Sequence, residues 1–332
     1  MPWSFIDVPS TDPAFNLALE QYAFDSLPRD RNWFMLWRNH NAIVIGRHQN
    51  TLAEINEAAV REKNVTVVRR LSGGGAVYHD LGNLNFTFIQ DAAQDGKLDM
   101  NLFCRPVSQA LQAMGVDARI NGRNDITIGG RKFSGNAQYV REGRVMHHGT
   151  IMYDSDLDTV GLVLRSDPEK VRAKGVRSVR SRVTTVRAHM PQPVPLEEFK
   201  ARLLQEISRE RPMESYTLTE ADAAAVEAIK KARYDRWEWN YGVSPPCNLL
   251  RRRRVEGCGS IEAHMHLDQG RIAALSFFGD FFSAVEPEEL ALLLRGCPLR
   301  QEDLRTRLKG VDVSAYFARL TAAQLIELLL DL

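Results

Sequence analysis

The densest chemistry in the sequence lies between residues 69 and 83, which read Arg69-Arg70-Leu71-Ser72-Gly73-Gly74-Gly75-Ala76-Val77-Tyr78-His79-Asp80-Leu81-Gly82-Asn83. Consecutive glycines carry no Cβ, so their main-chain N–H groups can come within hydrogen-bonding range of a ligand phosphate. Arg70 at the loop entry adds charge and a planar donor fork. No Gly-Lys-Ser/Thr closes the segment, which excludes a Walker A loop, and Tyr78 stands where the dinucleotide fingerprint needs its last glycine. A plain glycine-rich turn also fits three glycines. The flanking arginine, serine and histidine favour an anion site.

A second group is set by strand geometry. In Asn124-Asp125-Ile126-Thr127-Ile128-Gly129-Gly130-Arg131-Lys132-Phe133-Ser134, the Gly-Gly pair reads as a two-residue hairpin turn. With 128 opposite 131, Thr127 faces Lys132, Ile126 faces Phe133 and Asp125 faces Ser134. Asp125, Thr127, Lys132 and Ser134 are then expected on one face, and Ile126, Ile128 and Phe133 on the other. A lysine among hydroxyl and carboxylate groups is what an anionic reaction centre needs, although a half-exposed hairpin gives the same pattern. In Met146-His147-His148-Gly149-Thr150, a strand sends the two histidines to opposite faces, so they cannot share a metal. One of them is expected near a ligand and the other in the core or at the surface.

Other charged features are weaker. Lys174–Arg182 reads as a basic loop with interspersed hydroxyls, for which a solvated surface is the simpler account. Arg251–Arg254 reads as an exposed face or an interdomain contact, not as a nucleic-acid site, because Lys plus Arg total 43 against 42 for Asp plus Glu. His264 and His266 share a strand face without an evident third ligand, which argues against zinc. Cys104, Cys247, Cys258 and Cys297 show neither Cys-x-x-Cys spacing nor a ligand cluster, so buried free thiols are expected.

The elements that must position these residues follow from length and patterning. A chain of 332 residues suggests about two domains. With 44% hydrophobic and 26% charged residues it has the composition of an ordinary globular protein. No apolar run approaches the roughly 20 residues that span a bilayer. The N-terminus lacks a basic and apolar leader, so a cytoplasmic location is expected. Asp12-Pro13 opens a helix with apolar residues at Phe15, Leu19, Tyr22 and Ala23. Strands are expected at 34–37, 42–45, 65–68 and 85–89, and helices at 52–63 and 102–114. This order favours an α+β fold over a doubly wound sheet. A loop at 190–196 precedes a helix over 197–209. The Gly- and Pro-rich stretch Asn240–Cys247 marks a domain boundary near 244, giving domains 1–244 and 245–332. Beyond it, strands at 261–267 and 271–278 flank a turn, and 311–332 reads as helical.

Taken together, several ordered motifs resemble the lipoate-protein ligase A family. They are Trp37-Arg38-Asn39, Gly46-Arg47, the Arg70–Asn83 segment, Gly122-Arg123-Asn124-Asp125, Lys132-Phe133-Ser134-Gly135, His147-His148-Gly149-Thr150, Lys174–Val183 and Trp237-Glu238-Trp239-Asn240. The resemblance covers most of residues 1–244, and 245–332 match the family's small C-terminal domain in size and position. It implies a biotin/lipoate-ligase type catalytic domain of mixed β-sheets flanked by helices, with a small α+β C-terminal domain. The implied activity has two steps: ATP and lipoate give lipoyl-adenylate and pyrophosphate, and the lipoyl group passes to a protein lysine. Mg²⁺ is expected to bridge phosphate oxygens. The acceptors implied are lipoyl domains of 2-oxoacid dehydrogenase complexes and the glycine-cleavage H protein.

Carried over onto this chain, Arg70, Gly75, Ala76, Val77, Tyr78 and Lys132 would contact the nucleotide or acyl-adenylate, with Lys132 also reaching the lipoyl carboxyl group. Ser72, Gly73, Gly74, His79, Asn83, Asn121, Asp125, Ser134, Gly135, His148 and Thr150 complete the expected binding set, Asp125 as a magnesium or orienting residue. Leu71, Val77 and Gly135 are candidates for the apolar slot. A carboxylate attacking the α-phosphate brings two anions together, so cations and N–H donors must stand where negative charge accumulates. No enzyme nucleophile is needed once the mixed anhydride has formed. A lipoyl or octanoyl transferase using a preactivated donor, or a binding module without turnover, would share much of this site. A monomer is expected, with neither nucleic acid nor membrane as partner.

Overall fold

The computed structural model describes residues 1–92, 99–122, 124–165, 182–241 and 249–331. In chain order, the large N-terminal part contains β1 (Trp3–Asp7), α1 (Pro13–Asp25), β2 (Asn32–Trp37), β3 (Ala42–Ile45), α2 (Thr51–Glu54), α3 (Glu57–Glu62), β4 (Thr66–Arg69), β5 (Val77–His79), β6 (Asn83–Asp91) and α4 (Asn101–Ala113). It continues with β7 (Ala118–Asn121), β8 (Asp125–Ile128), β9 (Arg131–Arg141), β10 (Arg144–Met152), α5 (Leu157–Val163), α6 (Leu196–Glu210), β11 (Met213–Tyr216), α7 (Glu220–Ile229) and α8 (Trp237–Tyr241). The remainder holds β12 (Leu249–Val255), β13 (Gly259–Asp268), β14 (Arg271–Gly279), α9 (Pro287–Leu294), α10 (Gln301–Arg307), α11 (Val313–Tyr316) and α12 (Ala322–Leu330).

Strand alternation builds the large part. An eight-stranded mixed sheet runs β11-β1-β2-β6-β10-β9-β8-β7, with β1 parallel to both neighbours. Successive side chains leave a strand on opposite faces. Phe34 and Leu36 of β2 and Leu84, Phe86 and Phe88 of β6 therefore join one core against α4 and α6, whereas Trp33, Met35 and Trp37 join another against α1. On that second face β6 presents Asn83, Asn85 and Thr87, polar and nearly fully buried. Asp12 caps α1 by accepting the Ala14 N–H at 2.9 Å, and Pro13 occupies the first turn. Such a cap contributes about 1 kcal/mol. A small sheet, β4-β3-β5, carries the glycine loop between β4 and β5.

Two expected helices are interrupted. The segment 52–63 breaks at Ile55, which turns extended to bridge Leu164, while the Asn56 N–H bonds the Val163 carbonyl. A tertiary strand contact outweighs local helical spacing there. Residues 311–332 likewise divide into α11 and α12: Phe317 is buried in edge contacts with Phe277 and Phe281, and Thr321 starts a new helix through a capping box with Gln324.

The C-terminal core packs α9 to α12 on the antiparallel sheet β12-β13-β14. The Arg251–Arg254 run lies on β12 and meets carboxylates throughout, at Asp331 (3.4 Å), Glu262 (3.4 Å), Glu327 (3.0 Å) and Asp280 (4.0 Å). Its charge is matched within the protein. Cys104 and Cys297 are buried free thiols and Cys258 is buried; Cys247 lies outside the described residues. Among the described residues no helix is long and apolar enough to cross a membrane.

Candidate active site

A cavity of about 120 Å³ opens where α1, the glycine loop, β6, β9 and β10 converge. Leu17, Trp37, Val44 and Val77 supply its apolar wall, and Arg70, His79, Asn85, Asn124, Lys132, Asn136, His148 and Thr150 its polar groups. Gly74, Gly75, Ala76, Gly135, Ala137 and Gly149 complete the lining. The volume is below the roughly 300–1,000 Å³ usual for ligand pockets, enough for part of an acyl chain and too little for an acyl nucleotide.

Lys132 owes its position to an irregular ladder. Thr127 pairs with Lys132 as expected, but the register then shifts, so that Ile126 opposes Ser134 and Asp125 opposes Gly135. The ladder is thus not uniform, contrary to the pairing counted from the Gly129-Gly130 turn. The extra residue, Phe133, is fully buried in the core, and a bulge of this kind bends the strand and re-aims its neighbours. Ser134 is buried opposite Ile126, accepting from Asn136 Nδ2 at 3.2 Å, and so leaves the face of Lys132, whereas Thr127 stays opposite Lys132 and spends its Oγ1 on the Arg119 carbonyl at 3.3 Å. Lys132 Nζ nevertheless sits 2.7 Å from Asp125 Oδ1. A Cβ on Gly135 would stand 2.8 Å from that Nζ, so glycine leaves the room in which the lysine folds back. The Lys132 main chain is gripped by the Arg182 carbonyl and the Thr184 N–H, both at 2.9 Å. Arg182 is the only residue of the basic stretch Lys174–Arg182 within the described residues.

The glycine loop is shaped differently from the expectation. Arg70 is buried, and its guanidinium donates to Val44 O (3.1 Å), Gly73 O (2.7 Å), Gly75 O (2.9 Å) and Ser72 Oγ (3.1 Å). The fork thus braces the loop's own carbonyls while its charge stays at the cavity wall. Burial pushes its pKa down to about 10, partly offset by Glu20. The Gly74 N–H donates to the Phe281 carbonyl of the C-terminal part at 3.1 Å, and a Cβ on Gly73 would meet that oxygen at 2.2 Å. In this arrangement the bare glycine backbone admits another stretch of protein backbone.

A buried polar chain runs behind the loop. Glu20 of α1 accepts from Thr87 Oγ1 at 2.5 Å and lies 3.0 Å from His148 Nδ1; His148 Nε2 is 2.6 Å from Ser72 Oγ. Trp37 Nε1 donates to Thr87 Oγ1 at 2.9 Å. His147 points to the opposite face, against Gln138 and Phe103 in the core, as strand alternation requires. His79 is neutral: burial, reinforced by Arg70 and His148, pushes its pKa down to about 3. Asn16 donates to Asn39 Oδ1 (2.9 Å), so Asn39 Nδ2 donates to His79 Nδ1 (3.1 Å) and the ring proton lies on Nε2. His79 Nε2 and Asn85 Nδ2 are buried without a partner among the described residues, and both residues line the cavity. Two unmet donors in one cavity call for an acceptor.

Of the residues expected to bind, the cavity wall gathers Arg70, Gly74, Gly75, Ala76, Val77, His79, Lys132, Gly135, His148 and Thr150. Ser72, Gly73 and Leu71 line an adjacent cleft with Arg47, His48 and Glu286, and Ser72 reaches the cavity through His148. Tyr78 turns away to donate to Asn41 Oδ1 at 3.0 Å, Asn83 bonds Asn85 at 2.9 Å, and Asn121 is exposed on the edge strand β7. Asn85 and Asn124 stand in the wall instead. Sequence reading missed Glu20, Trp37, Asn85 and Asn136; the alternation Leu84-Asn85-Phe86-Thr87-Phe88, with polar residues amid a buried strand, was the available signal. Asp125 is tied to Lys132, and the described residues hold no group of three or more His, Cys, Asp or Glu side chains placed to share a metal.

A mixed sheet holds a braced glycine loop against a hairpin lysine, above an apolar slot, and comparison with known proteins assigns this arrangement to the lipoyl-ligase type of catalytic domain. The family model for the lipoyl protein ligase A/B catalytic domain matches residues 12–208, and that for the bacterial lipoate protein ligase C-terminus matches residues 244–329. Lipoate-protein ligase LplJ of Bacillus subtilis is 41% identical over 321 residues, covering 96% of this chain and 97% of the relative. Lipoate–protein ligase 1 of Staphylococcus aureus is 39% identical over 319 residues, with 96% and 97% covered. Among solved structures, P. falciparum LipL1 in complex with lipoate superposes with a TM-score of 0.82 at 21% identity, over 99% of this chain and 100% of that one. Lipoate-protein ligase A bound with ATP gives 0.63 at 25% identity, over 74% and 100%. The chain belongs to the lipoate-protein ligase family.

Proposed function

We propose that the protein activates lipoate with ATP and transfers the lipoyl group to a lysine of a lipoyl domain. One observation carries this reading: the cavity joins an apolar slot to an ammonium group that Asp125 orients at 2.7 Å. In the first step a lipoate carboxylate oxygen attacks the α-phosphorus, the bond to the β-phosphate oxygen breaks, and pyrophosphate leaves. Lys132 and the Arg70 charge offset the negative charge that gathers as two anions meet. Asp125 orients the lysine. In the second step the acceptor amine attacks the activated carbonyl, loses its proton, and AMP leaves; Lys132 neutralises the departing phosphate.

The apolar wall of Leu17, Trp37, Val44 and Val77 suits the hydrocarbon chain, and the unpaired donors of His79 and Asn85 suit a polar atom of the ligand. Mg²⁺ would travel with the nucleotide's phosphates, in keeping with the absence of a protein cluster for it among the described residues. Residues 1–244 would form the catalytic unit and 245–332 the accessory one. Lipoyl domains of 2-oxoacid dehydrogenases and the H protein are the proposed acceptors. A cytoplasmic setting accords with the buried thiols of Cys104 and Cys297.

The test is mass spectrometry of a purified lipoyl domain incubated with the protein, ATP, Mg²⁺ and lipoate, with pyrophosphate followed in parallel. Lipoate-dependent pyrophosphate release and a lipoyl adduct are expected. An adduct formed only from a preactivated acyl donor, with no pyrophosphate released from ATP, would identify a transferase.

A further inference from the structure

Arg69 closes β4 immediately before the glycine loop, and the six hydrogen bonds of its buried guanidinium all go to neutral acceptors. Nη1 reaches the carbonyls of Gly46 (2.9 Å), Arg47 (3.1 Å) and Gln49 (2.7 Å). Nε donates to the Trp239 carbonyl at 2.8 Å, and Nη2 to Thr51 Oγ1 at 2.7 Å and the Asn240 carbonyl at 3.3 Å. The Arg69 main chain is held by the same helix: its N–H donates to Asn240 Oδ1 at 3.0 Å, and its carbonyl accepts from Trp239 Nε1 at 2.8 Å. Asn240 Nδ2 in turn donates to the Tyr234 carbonyl at 2.7 Å. Burying a charge this way is costly, and the return is a fixed geometry for every carbonyl it touches.

The loop collected by Arg69 abuts the glycine loop. The Arg47 N–H donates to the Ser72 carbonyl at 2.8 Å. Gly46 packs so closely that a Cβ there would stand 1.9 Å from the Gly74 carbonyl oxygen. The Arg47 guanidinium carbon lies 4.6 Å from the centroid of the Trp239 ring. Contacts therefore run without a gap from α8, through Arg69 and loop 46–49, to Gly74 at the cavity rim. None of Arg69, Trp239 and Asn240 lines the cavity itself.

We propose that Arg69, Trp239 and Asn240 are positioning residues that set the glycine loop for the nucleotide. This rests on the ligase reading above, with the acyl chain in the apolar slot, and on the expectation from the family resemblance that the loop contacts the nucleotide. Loss of the clamp then weakens one substrate and spares the other. Trp239→Phe removes the N–H given to the Arg69 carbonyl while keeping an aromatic ring; Asn240→Ala removes the acceptor of the Arg69 N–H.

Lipoate-dependent pyrophosphate release is measured with ATP and lipoate varied separately, beside melting temperatures. The expected result for each folded variant is an ATP KM raised about five- to twentyfold, with kcat lowered less than about threefold and the lipoate KM within about twofold of wild type. Should Asn240→Ala not fold, Trp239→Phe alone decides. Variants that keep a wild-type ATP KM, or whose two KM values rise together as the melting temperature falls, overturn the positioning role. A wild-type protein that releases no pyrophosphate overturns the ligase reading on which it rests.

Discussion

Lys132 combines an exposed approach with a held orientation: its side chain is 37% accessible, yet Nζ is 2.7 Å from Asp125 and packs over Gly135. Lys132→Ala is expected to lower the overall rate by roughly 10²–10³, the scale of losing one preorganised donor, with melting temperature unchanged. Steady-state lipoylation within about threefold of wild type would falsify the role. Gly135→Ala tests the same geometry from beneath. Its Cβ would stand 2.8 Å from Nζ, and the flexible end of a lysine can swing aside, so the chain should fold while activity falls by about tenfold or more. Unchanged kcat in that variant would show that the lysine's placement is not critical.

Lys132, Arg70 and the glycine run were readable as candidates from residue type and spacing, and Gly135 only through the family resemblance. What each does was not, because the acceptors of Arg70 are main-chain carbonyls brought together by β3 and the loop. The bulge at Phe133 was equally hidden: a ladder counted from Gly129-Gly130 has no means of knowing that the core takes one more residue.

At the scale of elements, the loop between β14 and α9 closes on the glycine loop. The Gly74 N–H can serve a phosphate only when the Phe281 carbonyl gives it up. Gly73→Ala would place a Cβ 2.2 Å from that carbonyl, a backbone contact that cannot yield by a rotamer change. Faster hydrogen–deuterium exchange over residues 279–284 is expected, with strands β6 and β10 protected as before. Exchange there at the wild-type rate would mean that the contact is absent in solution. The split of the 52–63 helix belongs to this scale as well, since Ile55 is drawn out by Leu164, more than a hundred residues away in sequence.

For the molecule as a whole, buried neutral histidines govern the response to acid. Burial, with help from Arg47 and Arg69, pushes His48 down to about 3, and burial with Arg70 and His148 does the same to His79. His147 is also lowered, chiefly by burial. Each folded pKa lies below the unfolded value, so the unfolded chain binds protons that the native one refuses. Stability is complete above about pH 6.5 and declines as pH falls toward about 3. Melting temperatures should hold level from about pH 7 to 8 and fall continuously below about 6.5. A level profile down to about pH 4.5 would contradict the neutral, buried state of these rings.

The sequence by itself determined the class of fold, the family, the hairpin lysine and the glycine loop, because strand alternation, turn chemistry and ordered motifs act over a few residues. Only the tertiary structure decided which way Arg70 points, that Glu20 stands behind His148, that Asn85 rather than Asn83 faces the cavity, and that Phe281 covers Gly74. The Glu20–His148 and Phe281–Gly74 meetings join chain segments far apart in sequence, and Arg70 turns onto its own loop because burial beside Val44 leaves those carbonyls as its acceptors.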